Sequence, residues 1–578
     1  MDTQRLILLV VFSFSVLMLW EAWQKEQRGP LPAASKQQAS ADGVVPAPSV
    51  PEGVPSPAAG SPSSVPGTGS VAAPVRADSG VPGAAESSPR GRSRIKVTTD
   101  LVAVEIDLLG GDIVRLELLK HKEANDVSKN LVLMAPDHRY TAQSGFTASQ
   151  LPNHKTVYTA EHEEYRLAAG QSKVEVRLHA TMPGGASATK TLVFHRDNYI
   201  IEIVHAALNA TTSPIATKAY FHLTRDSKAP AEDQAMVMTF TGPAIYTDKT
   251  KYQKISWSDV DKNKPDVPAG LWTEGWVAMV QHYFVSSLVP PGSEKREFYV
   301  SKVDDYYRAG MILDVGSIEP GGRASAAMQL YVGPQEQDKL SALAPGLDLV
   351  VDYGWLTVFA APLFWLLRVF HDGTNVLGFQ FPGTGNWGWA IVLLTILVKL
   401  VFFPLSAASY RSMAKMKLVT PRLTKLREQY GDDRAKLNQA MMEMYKQEKI
   451  NPLGGCLPIV VQIPVFIALY WVLLGSVELR QAPFMGWIRD LSSPDPWYVL
   501  PVLMLISMVI QTKMSPAPPD PVQAKVMMLM PFIFGVMFFW FPAGLVLYWF
   551  VNNVLSIGQQ WQISRMFTEK KGQAPAKR

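Results

Sequence analysis

Five long apolar runs close this chain, and one of them carries a charge in its interior. Asn386–Tyr410, Gly455–Gly475, Trp497–Lys513, Ala524–Phe541 and Gly544–Ile563 are dominated by Leu, Val, Ile, Met, Phe and Trp. Each is about long enough for a ~30 Å hydrocarbon core at ~20 residues per helix, the third being short. A backbone in lipid must satisfy its own hydrogen bonds, so such runs predict membrane-spanning helices. Within the first, "AIVLLTILVKLVFFPL" places Lys399 near mid-run.

Composition supports a membrane protein with a large water-facing part. Of 578 residues, 47% are hydrophobic and only 18% charged, against roughly 25% charged in soluble proteins. Cys456 is the single cysteine, which excludes an internal disulfide and a cysteine-based metal site. The ten histidines show no metal-ligand spacing, and no Walker motif or other phosphate loop occurs, so no metal, cofactor or ATP is expected. "LGGC" at Leu453–Cys456 resembles a lipoprotein signal but sits in mid-chain, where small residues serve packing. "HRDN" at His195–Asn198 shares letters with a kinase catalytic loop, without the glycine-rich loop or DFG that would accompany one.

Leu6–Trp20 is another apolar run, ending near Trp20 and Trp23 with no small-residue cleavage site directly after it. Residues 1–25 therefore read as an uncleaved anchor, which makes six spans. Residues 26–92 are rich in Pro, Ala, Ser and Gly and too poor in apolar surface to fold, so they read as a disordered linker.

From about Ser93 the pattern alternates with period two. "LVAVEIDLLGGDIVRLEL" sets Val102, Val104 and Ile106 against Glu105 and Asp107, then turns at Gly110-Gly111, which predicts a hairpin. "SKVEVRLHA", "KTLVFHRDNYIIEIVHAAL", "REFYVSKV" and "SAAMQLYVG" continue in kind. Residues 93–350 thus predict a large all-β antiparallel sandwich. Trp355–Phe370 is apolar but short and interrupted by Pro362. Reading it as a span would invert the charge distribution described next, so 351–385 is expected to hold an interfacial amphipathic helix and a loop.

Segment 411–450 has ten Lys/Arg and five acids, including Arg411, Lys415, Lys417, Arg422, Lys425 and Arg427. Loop 476–496 has two basic residues against three acids, and the tail after Ser564 has five basic residues. The positive-inside rule then places 411–450, both termini and the tail 566–578 in the cytoplasm, and the sandwich outside. Within 411–450, Thr420-Pro421 reads as the start of one helix, and Gly431–Asp433 as the end of it and the cap of a second. The pair forms a helical hairpin with basic outer faces.

A lysine at the centre of a span costs about 2.5–3.5 kcal/mol on insertion scales. Snorkelling from mid-run is hard, so the ammonium needs a polar cavity. Thr395 lies four residues earlier on the same face. Pro404 cannot donate to the Leu400 carbonyl. Gln462, Ser507, Gln511 and the cluster Asn552, Asn553, Ser556, Gln559 and Gln560 place further polar groups at depth. No carboxylate lies within the runs. A positive groove of this kind attracts an acidic stretch in transit, whereas an ion-coupled transporter usually needs a deep carboxylate or an internal repeat. A solute or ion transporter using Lys399 remains the alternative reading.

"NWGWAIVLLTILVKLVFFPLSAASYRSMAKM", "NPLGGCLPIVVQIPVFIALYWVL", "GSVELRQAPF", "QTKMSPAPPDP" and "FPAGLVLYW" closely resemble the YidC membrane-protein insertases, the Gram-negative branch of the Oxa-type family. The resemblance is close over Asp352–Arg565 and looser over the sandwich, where "LYVGPQE" matches the end of the family's periplasmic domain. It implies a non-enzymatic insertase and folding chaperone of the inner membrane, with a five-helix core at 386–565. The groove would be open to cytoplasm and lipid, and the third and fifth spans would form its greasy face. Lys399 falls where the family has a basic groove residue, commonly arginine; lysine keeps the charge but loses the bidentate fork. Thr395, Gln462, Ser507, Tyr548 and Asn552 would line the groove or its edge, with Trp549 where relatives often have Tyr. The implied partners are nascent membrane proteins, the Sec translocon, the ribosome through the basic tail, the signal recognition particle receptor and membrane lipids.

Overall fold

The computed structural model describes residues 93–124, 126–230, 239–376, 379–431, 433–448, 457–515 and 521–572. The expected anchor (1–25), linker (26–92), Cys456 and the last six residues lie outside them. These residues fall in two compact units: Pro74–Pro516 with Met530–Arg578 holds all the sheets, and Ala517–Leu529 belongs to the other.

Alternating burial turns the first half of the described chain into strands. In β8 (Lys173–Thr181), Val176, Leu178 and Ala180 are buried while Arg177, His179 and Thr181 are exposed, the pattern of a sheet with one dry face. Two nine-stranded sheets result. The first runs β16 (Arg296–Val303), β17 (Tyr306–Ile318), β11 (Ile215–Arg225), β5 (Thr141–Phe146), β3 (Asp112–Lys122), β2 (Val102–Asp107), β1 (Arg94–Thr98), β7 (Glu164–Arg166). Strand β4 (Asn130–Met134) pairs beside β3. The second runs β13 (Lys251–Lys254), β12 (Gly242–Thr247), β14 (Trp276–Val280), β15 (Phe284–Val289), β18 (Arg323–Pro334), β10 (Ile200–Leu208), β9 (Ser187–His195), β8, β6 (Thr159–Ala160). Neighbours pair antiparallel except β1 with β7.

The expected hairpin is β2–β3, with Val102 opposite Leu118 and a bulge at Glu105/Ile106. Its turn needs glycine: Gly110 has φ +81°, and a Cβ there would stand 2.5 Å from the His154 carbonyl oxygen. "HRDN" forms the β9–β10 turn, with Asp197 at φ 54°. Two short helices, α1 (Trp257–Asp261) and α2 (Gln337–Leu343), complete this region.

The second half is helical: α3 (Thr357–Asp372), α4 (Trp387–Val401), α5 (Phe403–Tyr430), α6 (Arg434–Gln447), α7 (Leu457–Gly475), α8 (Val499–Met514), α9 (Pro521–Met537) and α10 (Ala543–Gly572). Helix α3 forms where an interfacial helix was expected, with Pro362 inside it, and buries Ala360, Phe364 and Leu367. A short hairpin, β19 (Gly373–Val376) with β20 (Phe379–Pro382), follows it and escaped the sequence reading.

Two expectations need correction. The run 386–410 is not one helix: α4 and α5 meet at Phe402 with a 67° bend. Pro404 sits in the first turn of α5, where it has no N–H to give and its ring would clash with the carbonyl of Leu400. Among the described residues no single helix is long and apolar enough to cross a membrane; the bent α4–α5 pair passes by length and composition together. Second, Thr420-Pro421 does not start a helix. Pro421 lies inside α5, which runs unbroken to Tyr430 because its apolar face keeps its period and packs on α6. Val419, Leu423, Met444 and Tyr445 form that small core with Met416, Leu426 and Met441. Asp433 does cap α6, accepting from the Ala435 and Lys436 N–H groups.

Candidate functional site: a buried ammonium among polar side chains

Helix α4 is aimed by its cap. The Asn386 side chain accepts from the Trp389 N–H at 3.2 Å and donates to the carbonyls of Pro483 (3.0 Å) and Phe484 (3.2 Å). One face of α4 is then buried: Gly388, Ala390, Ile391, Leu394, Thr395, Val398 and Lys399. Leu393, Ile396 and Leu400 on the other face are exposed, an apolar surface suited to lipid.

The bend answers why a lysine survives in this run. It ends α4 at Val401, which moves Lys399 from the middle of a span to the last turn of a helix. The unpaired carbonyls and the negative end of the helix dipole favour a cation there. Lys399 is 6% exposed, and its Nζ donates to Ser556 Oγ at 2.7 Å. Ser556 Oγ in turn donates to the Asn552 carbonyl at 2.7 Å. Asn552 Oδ1 accepts from Gln462 Nε2 at 2.8 Å. Helices α4, α7 and α10 thereby meet through one chain of polar contacts.

The other expected residues divide. Thr395 shares the buried face of α4, but its hydroxyl donates to the Ile391 carbonyl at 2.7 Å and so serves its own helix. Ser507 is not joined to Lys399 by any hydrogen bond among the described residues. It donates to the Met504 carbonyl at 2.7 Å and accepts from Asn553 Nδ2 at 3.3 Å, a seam between α8 and α10. Tyr548 stacks on Phe466 with centroids 6.4 Å apart, and Trp549 meets the same ring edge-on at 4.6 Å. Ser556 and Asn553 belonged to the polar cluster legible in the sequence; their spacing, not their letters, was the available signal. Arg411, Lys415, Lys417, Arg422, Lys425 and Arg427 are all exposed on α5. Arg422 pairs with Glu448 at 2.6 Å, a surface contact worth little on its own.

Loop 476–498 joins this region to the sandwich. Arg480 Nη2 donates to the Lys122 carbonyl at 2.5 Å, and its guanidinium lies 5.4 Å from the Phe284 ring centroid. His282 Nε2 bonds the Leu474 carbonyl at 3.0 Å, at the end of α7. Arg368 on α3 pairs with Asp338 on α2 at 2.5 Å. Burial, with Arg480 nearby, lowers His121 and His282 to about 4. Burial raises Glu478 to about 7. Among the described residues no group of His, Cys, Asp or Glu has the arrangement to hold a metal ion.

A β-sandwich joined to a group of apolar helices, with an ammonium buried among them on a serine hydroxyl, defines a two-part protein whose helical half holds a polar contact inside it. Comparison with known proteins narrows the class. The family model "YidC periplasmic domain" matches residues 94–366, and "60Kd inner membrane protein" matches 379–571. The membrane protein insertase YidC of Dechloromonas aromatica is 52% identical over 98% of each chain. That of Aromatoleum aromaticum is 52% identical over the whole of each. The chain belongs to the YidC membrane protein insertase family. A solved structure of an active YidC insertase covers 81% of this chain at 16% identity, with a TM-score of 0.38.

Proposed function

We propose that this chain inserts hydrophobic segments of newly made proteins into the inner membrane and assists their folding there, through a groove lined by Lys399, Gln462, Asn552 and Ser556. The observation that carries this reading is the buried Lys399 ammonium held by a neutral hydroxyl. A permanent carboxylate partner would neutralise it; a hydroxyl leaves its charge available to an acidic flank in transit. Moving an apolar helix into lipid is downhill, while moving its polar flank is not. A polar recess shortens the low-dielectric path. Short helices shorten it further: the 16 residues of α8 span only ~24 Å at ~1.5 Å per residue, less than a ~30 Å hydrocarbon core.

In this reading Thr395, Ser507, Tyr548 and Trp549 complete the groove and its rim. The exposed apolar residues of α8 and α9, such as Val502, Ile506, Phe532 and Ile533, face lipid or the passing segment. The six-span topology, with both termini and the basic α5–α6 hairpin in the cytoplasm and 93–350 in the periplasm, follows from the charge asymmetry. Basic residues Arg411 to Arg427 then meet anionic headgroups or a docking partner. The Sec translocon, the ribosome and the signal recognition particle receptor are the proposed larger partners.

The test uses the full chain in liposomes with a freshly translated single-span protein, scored by protease protection. Protection well above empty liposomes supports insertase activity. Equality with empty liposomes refutes it for that substrate and returns Lys399 to a transport role. Lys399→Leu reports whether the charge contributes to transfer.

A further inference from the structure

If Lys399 acts on an acidic flank, as proposed above, one side chain decides where its ammonium waits. Ser556 is 3% exposed and lies one turn beyond Asn552 on α10. Its hydroxyl proton is committed to the Asn552 carbonyl at 2.7 Å, the back-bond a serine makes inside a helix. With that proton spent, Oγ is left as an acceptor, and the Lys399 ammonium occupies it at 2.7 Å. The same turn of α10 is held from the other side, because Asn552 Oδ1 accepts from Gln462 at 2.8 Å. The position of the ammonium is therefore set by α10, not by the flexible lysine stem.

We propose that Ser556 is a positioning residue that parks the Lys399 ammonium in the polar seam between α4 and α10 and yields it to the carboxylate of a passing acidic flank. A hydroxyl is a neutral acceptor and a carboxylate a charged one, so the exchange favours the acidic flank. A neutral flank offers nothing better than Ser556 and leaves the ammonium parked. Without the hydroxyl, α10 no longer fixes the ammonium in the seam. Threonine keeps both functions, since its Oγ1 can make the same back-bond.

The experiment compares two single-span substrates, identical but for two aspartates or two asparagines in the translocated flank, inserted by the full chain in liposomes. Ser556→Ala is expected to lower insertion of the aspartate substrate about tenfold, because the ammonium no longer waits in the seam and must be brought back there at a cost on the order of one hydrogen bond to a charged group. It should change the asparagine substrate less than about twofold, and Ser556→Thr should restore the first. Equal insertion of the aspartate substrate by wild type and Ser556→Ala overturns the assignment. So does an equal fall for both substrates, which is the mark of a merely structural residue. If wild type itself does no better than empty liposomes, the insertase reading fails first and this inference falls with it.

Discussion

Gln481 and Lys122 bond each other in both directions: the Gln481 amide donates to the Lys122 carbonyl at 3.0 Å, and the Lys122 N–H donates to Gln481 Oε1 at 3.3 Å. The end of β3 is thereby paired by a side chain that stands in for a neighbouring strand, 359 residues on in sequence. Arg480 adds a charged donor to the same carbonyl. The contact joins the His282–Leu474 bond in tying the sandwich to the end of α7 and the loop after it. Gln481→Ala removes both directions, at about 1–3 kcal/mol for the stranded donor. Hydrogen exchange of the Lys122 amide should then accelerate at least about tenfold, with strands away from this edge unchanged.

Acid should weaken the same junction. His121 and His282 are held neutral by burial and by Arg480, down to about 4 from 6.5. Their unfolded forms take a proton below 6.5 and the folded forms do not until about 4, so stability falls as pH falls through that window. His205 and His222, held well below 6.5 by burial, act in the same direction. Glu478, raised to about 7, opposes them between 7 and 4.5. Thermal unfolding should thus lose temperature from pH 6.5 to 4. A glutamine at 282 can keep the bond to the Leu474 carbonyl, so the His282→Gln curve should fall less steeply. Parallel curves would show that His282 does not carry the effect.

Gly388 is a close-contact glycine. A Cβ there would lie 2.0 Å from Phe484 Cδ2, and Phe484 is pinned by the Asn386 amide. Gly388→Ala should destabilise by about 1–3 kcal/mol through overpacking. Gly558, with open space around its position on α10, is the control: Gly558→Ala should leave the melting temperature unchanged or slightly raised.

Asp495 organises the start of α8. It is buried and accepts from Trp487 Nε1 at 2.8 Å, the Trp497 N–H at 3.0 Å and the Leu500 N–H at 2.7 Å. Asp495→Ala strands three donors and should cost at least about 3 kcal/mol. Trp487 and Trp497 stack 9° from parallel with centroids 5.8 Å apart. Their fluorescence should shift if the loop opens, and an unaltered spectrum with unaltered stability would refute the role given to Asp495.

Much of this protein was legible without coordinates, and the reason is local. Alternation with period two reports a sheet with one dry face whatever its partner, and β8, β9, β10, β16 and β18 fall on the segments that alternate. The motifs around Lys399 and the glycine-rich turn at 110–111 likewise carry their meaning within a few residues. The α5–α6 pair was only half legible. Its apolar face and the cap at Asp433 are legible, but Thr420-Pro421 reads as a start, because a proline at a first turn and one tolerated in mid-helix look alike in sequence.

By itself the sequence determined that there is an apolar helical region with a charge to accommodate, a separate β region before it, and a basic segment between its apolar runs. Those are properties of periodicity and composition, which each segment holds alone. Only the tertiary structure decided that the run bends at Phe402 and so sets Lys399 in a last turn. Only it chose Ser556 as the partner, 157 residues away, placed Ser507 in a different seam and tied Lys122 to Gln481. Which polar groups meet depends on how helices cross and rotate against one another. That is set by side-chain packing across the whole unit and is written in no single stretch of chain.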